Sequence, residues 1–66
     1  MAITLKMARV GAGLTQAQMA EKMGGHVQTI AKYEKEPYKM SVLDVFKYCE
    51  ICGVRFDDIF LLNDPN

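Results

Sequence analysis

Residues 14–34, LTQAQMAEKMGGHVQTIAKYE, hold two short helical patterns on either side of a pair of glycines. Thr15 and Gln18 have the spacing of a capping box, in which the threonine hydroxyl accepts from the amide three residues on and the glutamine side chain reaches back. A helix is therefore predicted to begin after Thr15, and Gly24 is predicted to end it because glycine adopts positive φ without strain. The apolar residues of this helix share one face: Met19, Ala20 and Met23.

A helix on each side of this one is also predicted. The next runs from about residue 26 to 34, with Ile30 and Tyr33 turned inward at i, i+3. An earlier one covers residues 2–10 and is stopped by GAG at 11–13. Two apolar stripes of that helix are candidates for burial, and the sequence leaves the choice open: Ile3, Met7 and Val10, or Leu5, Ala8 and Ala12.

The second half of the chain continues the helical pattern. Ser41 and Asp44 repeat the capping spacing, and Gly53 is placed to end the helix that they begin. Its predicted apolar side consists of Val42, Val45, Phe46, Cys49 and Cys52. A last short turn follows in residues 56–62, and no strand pattern is evident. The predicted fold is all-α, a compact bundle of five short helices that contains a helix-turn-helix.

Length and composition predict one small domain over residues 1–66. Half of the residues are hydrophobic, which favours a packed core and argues against disorder. No apolar run approaches the length of a membrane span, and the first residues lack the pattern of a signal peptide. We therefore expect a cytoplasmic protein with reduced cysteines.

The charges are unevenly distributed although the formal net charge is zero. Residues 1–40 carry six bases and three acids, whereas residues 41–66 carry two bases and five acids. A chain with this asymmetry can present one basic face to an anionic partner.

Metal binding and catalysis are both disfavoured. Cys49 and Cys52 form a C-x-x-C pair, but a structural zinc site needs four ligands and the chain adds only His26, far along the sequence. At i, i+3 on the apolar side of a helix, the two thiols are predicted to be reduced core residues. No set of nucleophile, base and acid is evident. We therefore expect no metal, no cofactor, no small-molecule ligand and no enzymatic activity.

The chain resembles the Cro and lambda-repressor-like (XRE) DNA-binding domains. Residues 5–60 fit the pattern of that family without a gap, and the resemblance rests on residues 9, 13–16, 19, 20, 23, 24, 30, 33 and 34, and on 53, 54 and 57–60. Three positions depart from it. Gly25 replaces a small apolar residue, His26 replaces a capping serine or threonine, and Glu36 stands where a glycine often ends the third helix.

The resemblance implies a role for individual residues. The third helix would lie in the major groove of DNA, where Gln28 can bind adenine, Lys32 can donate to guanine, and Val27 can pack on a thymine methyl. His26 would stand at the entrance to the groove or be only a surface cap. Three residues would contact phosphates: Gln16, Lys35 and Lys39. Arg9 and Glu34 would form a structural ion pair.

The predicted function is therefore sequence-specific binding of a double-stranded DNA operator by a Cro-type or phage-like repressor. Because few residues follow position 60, no sensor domain is expected there. An autoregulating antitoxin that binds a toxin, and a domain that kept the fold but lost DNA binding, are the alternatives. A homodimer is expected, formed at least on DNA, with apolar area from Phe60, Leu61 or Leu62 at its interface.

Overall fold

The computed structural model describes residues 2–61, which form four α-helices. The helices are α1 (Leu5–Gly11), α2 (Gln16–Met23), α3 (Val27–Lys35) and α4 (Val42–Cys52). Single 3-10 turns occur at Pro37–Lys39 and Phe56–Asp58. The all-α prediction is confirmed, and the fifth predicted helix is only the 3-10 turn Phe56–Asp58. Within residues 2–61, no helix is long and apolar enough to cross a membrane.

The start and end of α2 follow the local rules. The Thr15 hydroxyl accepts a hydrogen bond from the Gln18 amide at 3.1 Å, and the Gln18 side chain accepts one from the Thr15 amide at 2.9 Å. Gly24 has φ of +76° and ends the helix in the left-handed conformation. The capping box and the glycine stop that the sequence predicts are both confirmed.

The two adjacent glycines of the turn differ in backbone conformation. Gly24 has positive φ, whereas Gly25 does not. A Cβ at Gly25 would meet nothing within 4 Å. We expect Gly25→Ala to raise the free energy of unfolding by about 0.4–1 kcal/mol, because alanine lowers the entropy of the unfolded chain. Gly24→Ala, the matched control, should instead destabilise the domain. Urea denaturation of both variants tests this, and a loss of stability on Gly25→Ala would contradict it.

The core lies where α1, α2, α3 and α4 meet. Its largest fully buried side chains are Tyr48, Leu5, Met19 and Ile30. The open choice in the first helix is settled by Leu5 and Ala8, which are buried, whereas Met7 is 54% exposed. Leu5 and Ala8 therefore face the core, whereas Ala12, the third member of that stripe, is exposed at the C-cap of α1.

Helix α1 is shorter than predicted. Thr4 caps it, accepting a hydrogen bond from the Met7 amide at 3.1 Å, so residues 2 and 3 are not part of the helix. Ile3 forms an isolated parallel bridge with Ile59: the Ile3 amide donates to the Asp58 carbonyl and the Phe60 amide donates to the Ile3 carbonyl, each at 2.7 Å. The bridge joins the two ends of the described chain.

The predicted apolar side of α4 is wrong in part. Val45 and Cys49 are buried and Cys52 is half-buried, as predicted, but Val42 is 62% exposed and Phe46 is 51% exposed. The position of Tyr48 explains the exposure of Phe46. Its ring is fully buried and its hydroxyl reaches acceptors on α1 and α3, so Phe46, two positions earlier, lies on the other side of the helix. Val42 shares a stripe with buried Cys49 but stands in the first turn of α4, where it is exposed.

The C-terminal segment exposes less apolar surface than the sequence suggests. Phe56, Ile59 and Leu61 are half-buried and pack against the core, and Phe60 is also half-buried. Phe56 stacks on Phe46 with ring centroids 4.5 Å apart. Leu62 lies outside the described residues. The prediction that Phe60 or Leu61 provides free apolar area is therefore weakened by the packing of this segment.

Candidate nucleic-acid interface

Helices α2 and α3 are joined by a turn of three residues. Gly24 ends α2, Gly25 follows, and His26 is the N-cap of α3 with φ of −108°. Buried Met19 and Ile30 fix the two helices against the same core. This is a helix-turn-helix, in which the second helix is held by its inner side and its outer side is free to contact a ligand.

The outer face of α3 contains the residues that the sequence suggests for reading DNA. Val27 is 41% exposed, and Gln28 and Lys32 are also exposed. Ala31 and Lys35 are exposed on the same side, because positions 28, 31, 32 and 35 are at i, i+3, i+4 and i+7. This exposed set, residues 27, 28, 31, 32 and 35, is called the α3 face below.

The α3 face is basic because the only acid of the helix is turned away from it. Glu34 accepts from the Nε of Arg9 at 2.6 Å and from its Nη2 at 3.2 Å. The two side chains are only 8% and 6% exposed. Lys32 and Lys35 therefore provide the charge of the α3 face, and Glu34 does not cancel it.

The Arg9–Glu34 pair is the centre of a wider network. The Tyr48 hydroxyl lies 2.9 Å from Glu34 Oε2 and 3.0 Å from the Leu5 carbonyl oxygen, so its single proton is shared between two acceptors. Arg9 Nη1 also donates to the Leu14 carbonyl at 2.8 Å. Among the described residues, every buried side-chain nitrogen and oxygen atom has a partner. The network links α1, α3 and α4.

The ionisation of these groups follows from their contacts. Burial alone would raise the pKa of Glu34, but hydrogen bonds from Arg9, Gln16 and Tyr48 outweigh it and leave the pKa below its usual value. The hydrogen bond to Glu34 raises the pKa of Arg9 although burial opposes it. Burial, together with the neighbouring Glu34, raises the pKa of Tyr48 far above its usual value. The pair is therefore charged and the tyrosine neutral at physiological pH.

Gln16, a candidate phosphate ligand, already has a partner in this structure. Its Nε2 donates to Glu34 Oε1 at 3.2 Å, and the residue is half-buried at the first position of α2. The amide nitrogen has two hydrogens, so one remains for a ligand. Gln16 therefore connects the start of α2 to the end of α3.

The other two candidate phosphate ligands are more exposed. Lys35 lies in the last turn of α3. Lys39 follows in the 3-10 turn and pairs with Glu36 at 3.0 Å. The hydrogen bond between these two groups raises the pKa of Lys39 and lowers that of Glu36. Glu36 has φ of −132°, so the end of α3 does not need the glycine that is common at this position.

His26 occupies the N-cap of α3 without forming a side-chain capping hydrogen bond. Its side chain is exposed beside Val27 and Gln28. The substitution of histidine for a capping residue therefore leaves α3 without this stabilisation, and it leaves the imidazole free to face the same ligand as the α3 face.

The two cysteines lie in α4. Cys49 is buried and Cys52 is half-buried, and burial raises the pKa of both thiols, that of Cys52 to about 11. A thiol with a raised pKa is a poor nucleophile and a poor metal ligand at neutral pH. Among residues 2–61, no group of three or more histidine, cysteine or acidic side chains could hold a metal ion.

Two residues of the site, Ala31 and Tyr48, are not identified from the sequence. Ala31 lies between Gln28 and Lys32 on the α3 face, and its small side chain permits close approach of a ligand. The i+3 spacing from Gln28 is a signal that identifies it. Tyr48 supports the Arg9–Glu34 pair from α4, and no local pattern indicates this role because its acceptors are 14 and 43 residues away.

Comparison with known proteins places this geometry in a family. Residues 5–59 match the helix-turn-helix family. The chain is 40% identical over 60 residues to a helix-turn-helix-type transcriptional regulator of Methanocaldococcus jannaschii, covering 91% of each protein. It is 32% identical over 62 residues to one of Bacillus subtilis, covering 94% of each. A third, from Archaeoglobus fulgidus, is 33% identical over 52 residues, covering 79% of this chain and 74% of that protein. No solved structure matches the chain at a significant level.

Proposed function

The chain belongs to the XRE-type helix-turn-helix family of DNA-binding transcriptional regulators, and on that premise we propose that it is a repressor of the Cro or phage-repressor type. It occupies a double-stranded DNA operator as a homodimer and blocks transcription there. The α3 face reads the major groove, and one copy of α3 enters each half-site.

The observation that carries this proposal is the chemistry of the α3 face. A hydrogen-bonding amide (Gln28), a cation (Lys32) and an apolar side chain (Val27) lie together on an exposed helix with no acid among them. These are the groups that recognise adenine, guanine and thymine edges in the major groove. His26 stands at the start of the same helix and contacts the first base or its phosphate.

Phosphate contacts surround the α3 face. Gln16 offers its second amide hydrogen at the start of α2, where the free backbone amides also favour an anion. Lys35 and Lys39 approach the same strand from the end of α3 and from the 3-10 turn after it. Such contacts position the protein on the duplex without selecting a sequence.

Selection of binding sites from a pool of random duplexes tests this function. We expect one enriched sequence with two half-sites related by a two-fold axis and centred about 34 Å apart, or one helical turn. Affinity for that sequence should fall steeply with added salt, because the cationic side chains that bind DNA phosphates release the counterions held there. A pool that remains random after repeated selection, with retention equal for all sequences, would overturn the proposal.

A further inference from the structure

Glu36, the C-cap of α3, is an acid that directly follows the last residue of the α3 face. Its amide donates to the Lys32 carbonyl at 2.7 Å, and the Lys39 amide donates to the Glu36 carbonyl at 3.0 Å. These backbone hydrogen bonds hold Glu36 between α3 and the 3-10 turn Pro37–Lys39. A negative charge is therefore placed at the edge of the surface that is proposed to face DNA.

Two side chains of the 3-10 turn donate to one oxygen of this carboxylate. Lys39 Nζ lies 3.0 Å from Glu36 Oε2, and the Tyr38 hydroxyl donates to the same oxygen at 3.1 Å. The hydrogen bond from Lys39, and after it that from Tyr38, lowers the pKa of Glu36. The charge of Lys32 acts in the same direction. The carboxylate is therefore ionised at neutral pH, and it interacts with a candidate phosphate ligand and with a candidate base reader.

The fold gains little from an acid at this position. The negative end of the helix dipole lies at the C-terminus of α3 and disfavours a carboxylate there. The ion pair is also open to solvent, which weakens such a pair, since the side chains of Glu36 and Lys39 are 29% and 47% exposed. An exposed acid that opposes the helix dipole and occupies a DNA-binding cation should affect binding more than folding.

We propose that Glu36 is an intramolecular competitor of DNA. Its carboxylate occupies Lys39 in the free protein, and a backbone phosphate displaces the carboxylate when Lys39 binds DNA. The Tyr38 hydroxyl stays on Glu36 Oε2 and keeps the carboxylate hydrogen-bonded after Lys39 has left. This inference rests on the proposed function, because it takes Lys39 as a phosphate ligand, and it adds an acid that opposes that contact.

Competition for Lys39 sets the affinity for DNA and not the preference among sequences. Phosphates are the same at every site, so the ion pair lowers affinity for all duplexes by a similar factor. Salt screens an exposed ion pair, so this factor should be largest at low ionic strength.

Titration of a random-sequence duplex at low salt tests the inference. Glu36→Gln keeps the shape of the side chain and removes its charge, so it should raise affinity about two- to fivefold. The gain should shrink as salt is added. Glu50→Gln is the matched control, because Glu50 is exposed on α4, where no DNA contact is proposed, and its replacement changes the net charge equally. It should leave affinity near that of the unmodified protein.

A double-mutant cycle distinguishes competition from simple repulsion between Glu36 and DNA. When Lys39→Ala is already present, Glu36→Gln should raise affinity no more than Glu50→Gln does, whereas repulsion gives the same gain with or without Lys39. A full gain in the absence of Lys39 would overturn the inference. An equal gain in Glu50→Gln, or no gain in Glu36→Gln, would do the same.

The selected operator separates this inference from the proposed function. Glu36→Gln should raise affinity for the operator by the same factor as for the random duplex and leave the ranking of changed operators as it is. Selective operator binding without any gain in Glu36→Gln would overturn the competitor role alone. An unmodified protein that binds no duplex would overturn both proposals.

Discussion

Replacement of Glu34 by alanine should lower the free energy of unfolding by about 3–5 kcal/mol, which is most of the stability expected for a domain of this size. The substitution leaves the Arg9 guanidinium, only 8% exposed, without its anionic partner. It also removes one acceptor of the Tyr48 hydroxyl and the acceptor of Gln16. A domain of this size is expected near the low end of the usual stability range of about 5–15 kcal/mol. Urea denaturation followed by circular dichroism measures the loss.

The chain provides a matched control for this prediction. Glu36 also forms an ion pair, with Lys39 at 3.0 Å, but its side chain is 29% exposed and that of Lys39 is 47% exposed. Solvent screens such a pair, so Glu36→Ala should cost far less than Glu34→Ala. Equal losses in the two variants would show that Glu34 is not part of a buried network.

A double-mutant cycle measures the interaction energy between Arg9 and Glu34. Arg9→Met with Glu34→Leu removes both charges and keeps apolar volume, so the double variant should be more stable than the sum of the single losses predicts. If the losses simply add, Arg9 and Glu34 act independently and the network interpretation is wrong.

The same pair gives the stability a definite pH dependence. The pKa of Glu34 is lower in the folded protein than in the unfolded chain, where burial is lost together with the hydrogen bonds. Its contribution is therefore present above the unfolded value of about 4.3 and is lost as pH falls through the lower folded pKa. The unmodified protein should lose stability over this acid range, and Glu34→Gln should show a smaller dependence there.

The parts of the fold that follow from local rules could be predicted from the sequence. Thr15 with Gln18, and Gly24 after them, act within one helical turn, so their spacing alone places the start and end of α2. The exposed positions of α3 follow similarly from its period once Ile30 is known to face inward. The reading helix could therefore be identified before its geometry was known.

The parts that depend on distant contacts could not be predicted. Tyr48 is buried and its hydroxyl finds acceptors on α1 and α3, and Phe46, on the other side of α4, is exposed. Ile3 is extended because it pairs with Ile59 at the other end of the chain. A pattern of apolar spacing contains no information on either partner.

Replacement of Gln28 or Lys32 by alanine should have the largest effect on DNA binding. Each variant should lose about 1–3 kcal/mol of binding free energy on the selected operator, equivalent to about 5- to 150-fold in affinity. Both side chains are exposed on the α3 face, so the fold should be unaffected and the melting temperature should stay near that of the unmodified protein. Each loss should also relax the preference at one base position, because a residue that reads a base edge discriminates only there.

Phosphate contacts provide the matched comparison for this prediction. Gln16→Ala and Lys39→Ala should weaken binding to all sequences by a similar factor, and the lysine variant should reduce the slope of affinity against salt by about one. Competition titrations against operators changed at single positions measure both effects on the same proteins. If Gln28→Ala and Lys32→Ala leave the ranking of those operators unchanged, α3 binds DNA without reading it. The selectivity would then have to come from DNA shape or from the N-terminal end of α3 at His26.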